Sequence, residues 1–340
     1  MRPRLPTLLR LVVAGALTWY ILANAELAEI GRILAGVSWL PIAAACLLVF
    51  GDRFLNAYRS IALLDPVRES RPPIVALVRI FFVSTFIGNT VGTDVTRVWS
   101  LSREGVSGSA SLASVLMDRL LGVLSILIAA VAGLALVPEL LREPEVEWSF
   151  AAIAAGCACA ALLVFSSRVD DALRAVLERL PGGVISRTAA RVLDALQAYR
   201  GHHGMLGVVL FASIGVQVLR ILQAWLLGMS LHAASPIGDY FAFVPIVLLV
   251  MLLPITTYGL GTSQLAFAWC FSHSRVPMDE NTAYALSVLF IALGLVGNLP
   301  GAVWYILGGR MRSSTTAKTP ATGAIFINFN IKVKHHGNNH

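Results

Sequence analysis

Apolar residues in this chain come in runs of a length that crosses a bilayer, and two of these runs are interrupted. Spans that reach or approach the roughly 18 to 20 apolar residues needed to cross hydrocarbon are predicted at 8–25, 39–64, 109–137, 148–166, 204–231, 240–258 and 282–307, with a shorter eighth at 260–271. The interruptions are FFVSTFIGNTVGTDVTR at 81–97 and PITTYGLGTSQLAFAWCF at 254–271, one in each half. Glycine and polar residues at membrane depth free backbone groups that only protein or a wet cavity can satisfy. Paired breaks of this kind point to a binding site. The pattern predicts an all-α, polytopic integral membrane helix bundle of about eight spans, with broken or re-entrant helices in both halves.

Composition agrees: 57% of residues are hydrophobic and 13% charged, with a mean hydropathy of +0.75, where a soluble domain carries roughly 25% charged residues. The net charge of +7 does not indicate nucleic acid, because the basic residues lie between apolar spans and form no single patch. Basic connections are Arg2, Arg4 and Arg10, then Arg59, Arg68 and Arg71, Arg97 and Arg103, six arginines in 168–200, and Arg310, Arg312 and Lys318. The positive-inside rule makes these cytoplasmic and places both termini inside, in the cell inner membrane. Acid-weighted connections, Glu26 and Glu29, then Glu139, Glu143, Glu145 and Glu147, fall on the opposite side. This parity requires an even number of crossings, met if 81–97 dips in and returns while 260–271 crosses. Residues 2–25 also resemble a signal peptide ending in Ala23-Asn24-Ala25, but parity favours keeping them as a first span.

The four cysteines lie inside apolar spans and suggest neither disulfide nor metal framework, and no cofactor is implied. Residues 1–310 read as one membrane domain and 311–340 as a polar, disordered tail with three histidines.

Intramembrane ionisable residues cost roughly 2.5–3.5 kcal/mol each on insertion scales, so those present should face a cavity or a partner. Asp52, Asn56 and Arg59 follow one another at i, i+4 and i+7 and share a helix face, with Arg53 beside them. Arg53 and Arg59 have the alternative of snorkelling to headgroups, which the short Asp52 lacks. Ser111, Ser114, Asp118, Gly122 and Ser125 make a polar stripe, with Arg119 next to Asp118. Ser213, Gln217 and Arg220 make a second stripe, in which Arg220 sits far from either helix end and calls for an anionic complement or a structural ion pair. The first break brings Gly88, Asn89, Gly92, Asp94 and Arg97 within ten residues, where amides at a helix start suit a phosphate. The second offers Gly259, Gly261 and hydroxyls at another helix start.

At these residues the chain resembles the flippase-like family built on the transmembrane region of lysylphosphatidylglycerol synthases. RFLNAYRSIALL, GNTVGTDVTRVWSL, SVLMDRLLG, PITTYGLGTSQLAF and NLPGAVWYI correspond to its marks over about residues 8–308. The first break departs in lacking Pro-Gly-Gly, and the second has Ser263-Gln264 where many relatives carry Arg-Glu. The resemblance implies a membrane protein that binds an anionic phospholipid or lipid-linked headgroup and moves it between leaflets. An alternative is an accessory or regulatory protein for a lipid or glycolipid biosynthetic enzyme. The synthases' soluble aminoacyl-transfer domain has no counterpart after the last span, so no enzymatic activity is expected. Asp52, Asn56, Arg59, Asn89, Gly92, Asp94, Arg97, Asp118, Arg119, Arg220, Gly259 and Gly261 are the candidate substrate-binding residues. The helices carrying Asp52, Asp118 and Arg220 are expected to turn them toward one shared cavity, and Arg97 and Arg220 are expected to hold the headgroup. The opposing reading pairs Arg97 with Asp94, and Arg220 with Asp118 or Asp52.

Overall fold

A computed structural model of the 340-residue chain describes residues 27–87, 90–139, 144–165, 201–252 and 261–312, together with Asp194, Gln197 and Tyr199. The expected first span at 8–25, Asn89, Gly259 and the tail lie outside the described residues. Among the described residues the secondary structure is helical: α1 Leu27–Ala35, α2 Trp39–Leu64, α3 Ile74–Ile87, α4 Thr90–Arg103, α5 Gly108–Ala135, α6 Pro144–Phe165, α7 His203–Ser230, α8 Ile237–Leu252, α9 Thr262–Ser272, α10 Glu280–Gly297 and α11 Leu299–Arg312.

Local chemistry explains where these helices begin and end. Ser107 accepts from the Ala110 N–H and Asp279 from those of Asn281 and Thr282, so each satisfies free donors at the start of α5 or α10. After α4, Gly105 takes φ +84°, the Gly105 N–H donates to Ser102 and the Val106 N–H to Leu101, which is a Schellman ending. His232, at φ +58°, ends α7 in the same way, with bonds from its N–H to Met229 and from Ala233 to Gly228.

Four stretches are long and apolar enough to cross a membrane: Trp39–Leu64, Gly108–Ala135, His203–Ser230 and Glu280–Leu307. At 1.5 Å per residue α2 is about 39 Å long and α5 and α7 about 42 Å, beyond a hydrocarbon core of about 30 Å. The last of the four is interrupted at Asn298, which separates α10 from α11. With α6 added, this is a multi-pass helical membrane protein.

Both broken segments fold as helical hairpins. α3 and α4 pair antiparallel, so that Arg79 meets Glu104 at 3.4 Å and the Arg97 guanidinium lies 5.0 Å from the Phe81 ring centroid. Each arm is about 21 Å long, too short to cross, so the segment goes in and returns as the sequence suggests. α8 and α9, expected as successive spans, also lie side by side: Asp239 meets Arg275 at 2.8 Å and the Tyr240 and Phe271 rings are 4.8 Å apart.

The two halves then repeat one order, long helix, hairpin, long helix, and the two leading helices run antiparallel. The Ser38 N–H donates to Ser230 at 2.9 Å, Asp52 faces Arg220 at 3.3 Å, and a Cβ on Gly215 would meet Leu55 at 3.3 Å, so α2 and α7 pack along their length in opposite directions. The hairpins dock crosswise. The first packs on α11 of the second half and the second on α5 of the first. Glycine makes both contacts close: a Cβ on Gly301 would lie under 3.0 Å from the Phe82 carbonyl, and one on Gly133 under 3.0 Å from that of Phe241. Trp304 completes the first contact against Phe82, with ring centroids 5.5 Å apart. This is the inverted-repeat plan of many secondary transporters. The largest core cluster joins α2, α5, α7, α8, α9 and α10 around Val49, Leu134, Ala224, Phe243, Phe271 and Ala285.

Candidate functional site

Where α2, α4, α5 and α7 meet, the ionisable residues of the apolar spans converge. On α2 the i, i+4, i+7 spacing puts Asp52, Asn56 and Arg59 in one row, linked by hydrogen bonds. The Asn56 amide donates to the Asp52 carboxylate at 2.9 Å, and Arg59 donates to the Asn56 oxygen at 3.0 Å. Asp52 is 2% exposed and Arg59 4%, so neither reaches bulk water and the snorkelling alternative for Arg59 does not hold. Arg59 instead donates to Asp118 on α5 at 2.9 Å. Gly122, one turn further along α5, leaves room for this guanidinium, since a Cβ there would sit 3.6 Å from it.

Arg97 and Asp94, three apart on α4, do not pair with each other. Arg97 donates to the second oxygen of Asp118 at 3.3 Å, and Arg119 grips Asp94 through two bonds of 3.0 and 2.7 Å. The adjacent Asp118-Arg119 and the Asp94/Arg97 pair thus cross-link α4 to α5 with opposite polarity, and the bidentate Arg119–Asp94 fork is the stronger geometry. On α7, Arg220 lies 3.3 Å from Asp52, which also holds Arg53 at 3.4 Å. Lower on the same helices, Gln217 donates to Ser125 at 2.9 Å and joins the two polar stripes.

A cavity of about 300 Å³ opens beside this network, between α2, α5, α7, α8 and α10. Its polar wall is Asp52, Arg53, Arg119, Arg220, Gln223 and Asn298, and its apolar wall includes Val49, Ile126, Leu248, Phe290 and Leu295. Asp52 and Arg220 therefore share a cavity as expected. Asp118 stands behind it, connected through Arg59 and represented at the surface by its neighbour Arg119. Arg97 also stands behind, held by Asp118 and by the Phe81 ring, in the position of a support.

Gly92 sits in the first turn of α4, half-buried. Gly261, at φ +87°, begins α9, but its N–H is not open to a headgroup, because it donates to the Gln264 side chain at 2.6 Å. Ser263 donates to the same oxygen at 3.1 Å. The Ser263-Gln264 pair that stands where relatives carry Arg-Glu is thus a neutral, buried cap, and the second hairpin brings no charge there.

Sequence reasoning missed Gln223 and Asn298. Gln223 follows Arg220 by three residues, a helical neighbour, and Asn298 marks the break between α10 and α11, so both had a signal. Both are incompletely paired: Gln223, 4% exposed, has its side-chain nitrogen without a partner among the described residues, as have the Arg53 Nε and the Asn298 side-chain oxygen. Such groups are costly to bury unless something meets them.

No curated protein matches the chain. The model of the lysylphosphatidylglycerol synthase TM region matches residues 7–301, a stretch that holds the crosswise hairpins, the arginine-rich network and the cavity, and on that match the chain belongs to this family.

Proposed function

We propose that the protein is a flippase-like transporter that binds an anionic lipid headgroup in this cavity and passes it between leaflets without a covalent step. The observation that carries the reading is a membrane-embedded cavity with three arginines on one wall and an aliphatic and aromatic surface on the other. Arginines at this depth are retained where they serve a pathway or a partner, and guanidinium is the side chain suited to bidentate phosphate. The inverted repeat supplies two related halves of the kind that alternate access around a central site. A leaflet-resolved assay on the purified protein in vesicles tests the reading. Anionic fluorescent lipid is expected to become accessible in the opposite leaflet faster than in protein-free vesicles, and equal rates would overturn it.

Arg220 and Arg97 separate binding from support. Arg220→Lys keeps the charge but loses the planar fork, so headgroup binding is expected to weaken roughly tenfold with the folded yield near that of the parent. Arg97→Lys is expected to lower thermal stability more than lipid affinity, because its contacts are Asp118 and Phe81. Lipid titration and thermal unfolding of both variants in detergent check this. An Arg220→Lys variant that binds anionic lipid like the parent would exclude a phosphate fork at that position.

We further propose an inner-membrane location with both termini and the 168–200 connection cytoplasmic, which rests on the basic excess of those stretches. Cysteines introduced as Arg174→Cys or Arg191→Cys are expected to resist an impermeant thiol reagent added outside intact cells and to react after lysis. Labelling from outside would reverse the topology.

A further inference from the structure

The network around the cavity does not balance its own charge. Among the described residues it holds five guanidiniums, of Arg53, Arg59, Arg97, Arg119 and Arg220, against three carboxylates, of Asp52, Asp94 and Asp118. Asp52 is divided between Arg53 and Arg220, and Asp118 between Arg59 and Arg97, so two positive charges remain over at membrane depth. Surplus charge in a low-dielectric region is expensive unless a counter-charge joins it.

We infer that the cavity is built for a phosphomonoester headgroup, one that brings close to two negative charges, in preference to a phosphodiester that brings one. This deepens the proposed transport of anionic lipid and rests on it. A phosphate monoester carries about 1.5 to 2 negative charges near pH 7, which matches the surplus, whereas a diester leaves one guanidinium uncompensated. The donors agree. The polar wall offers the incompletely paired Arg53 Nε and Gln223 amide nitrogen beside Arg119 and Arg220, and a monoester presents three terminal oxygens to receive them. Asn298, whose side-chain oxygen is also unpaired, can turn its amide to present the nitrogen instead. The opposite wall is apolar, which suits the glycerol and acyl ends of a lipid and gives free phosphate nothing to bury.

The test measures binding of the intact, detergent-purified protein to four probes: dioctanoyl phosphatidic acid, dioctanoyl phosphatidylglycerol, dioctanoyl phosphatidylcholine and inorganic phosphate. Phosphatidic acid is expected to bind roughly tenfold tighter than phosphatidylglycerol, with phosphatidylcholine and inorganic phosphate weaker than either. Arg220→Gln, which removes one surplus charge, is expected to narrow the preference to about threefold or less. Gln223→Leu, which removes a neutral donor, is expected to weaken both anionic lipids and leave their ratio unchanged. Equal binding of phosphatidic acid and phosphatidylglycerol, both above phosphatidylcholine, would overturn the monoester inference and leave the anionic-lipid reading standing. Equal binding of all three lipids would overturn both. Inorganic phosphate binding as tightly as phosphatidic acid would overturn a lipid as the occupant. Because the first comparison uses the parent protein, it does not depend on any variant folding.

Discussion

Asp118→Ala is expected to destabilise the folded protein by about 3–5 kcal/mol, the loss typical of stripping one partner from a buried ion pair. Asp118 is the only carboxylate among the described residues that touches both Arg59 and Arg97, at 2.9 and 3.3 Å, and removing it leaves two buried cations facing apolar helices. Asp65→Ala is the comparison. Asp65 also pairs with an arginine, Arg68 at 2.5 Å, but at an exposed site, where such a pair is worth about 0–1 kcal/mol. Thermal unfolding in detergent should separate the two variants clearly. Replacing all three partners together, Arg59→Met, Arg97→Met and Asp118→Leu, is expected to recover much of the loss, because the buried charges leave with their partner. An Asp118→Ala protein that melts with the parent would mean that the pairs are not what holds α4 to α2 and α5.

Gly133→Val should be comparably damaging for a steric reason. A Cβ at Gly133 already falls under 3.0 Å from the Phe241 carbonyl, and backbone has no rotamer by which to yield. The second hairpin would have to lift off α5, a cost at or above the upper end of the roughly 1–3 kcal/mol usual for overpacking. Gly301→Val should do the same to the first hairpin through Phe82. Gly207→Ala is the control: nothing lies within 4 Å of a Cβ there, and alanine is the better helix former by about 1 kcal/mol. Yields of monodisperse protein, with unfolding temperatures where protein is obtained, test the series. A Gly133→Val variant as stable as Gly207→Ala would show that the hairpin is not held against α5.

Much of this architecture was legible in the sequence because it is local. The second span was read at 39–64 and α2 occupies Trp39–Leu64, since an apolar run fixes its own limits. The row of Asp52, Asn56 and Arg59 followed from helical period, and the break at Gly88-Asn89 followed from glycine and amide at membrane depth. What was not legible depends on register between elements far apart in the chain. Spacing on α4 allows Asp94 to pair with Arg97, and only the docking of that hairpin on α5 decides that they reach Arg119 and Asp118 instead. Gly133 and Gly301 looked like ordinary small residues in apolar runs, because their meaning lies in the backbone of the opposite half. Gln264 gave no sign that it would turn back to cap its own helix.

The crosswise docking of the hairpins has a kinematic consequence. In a chain whose halves each closed on themselves, the units of motion would be the units of sequence, two blocks rocking about the connection between them. Here each hairpin is keyed by a glycine contact to the terminal helix of the other half, so neither half can swing as a block without breaking one of those contacts. The rigid bodies are mixed ones, α3 and α4 with α11, and α8 and α9 with α5. Their common hinge is the antiparallel pair α2 and α7, on which the Asp52–Arg220 contact sits at the pivot.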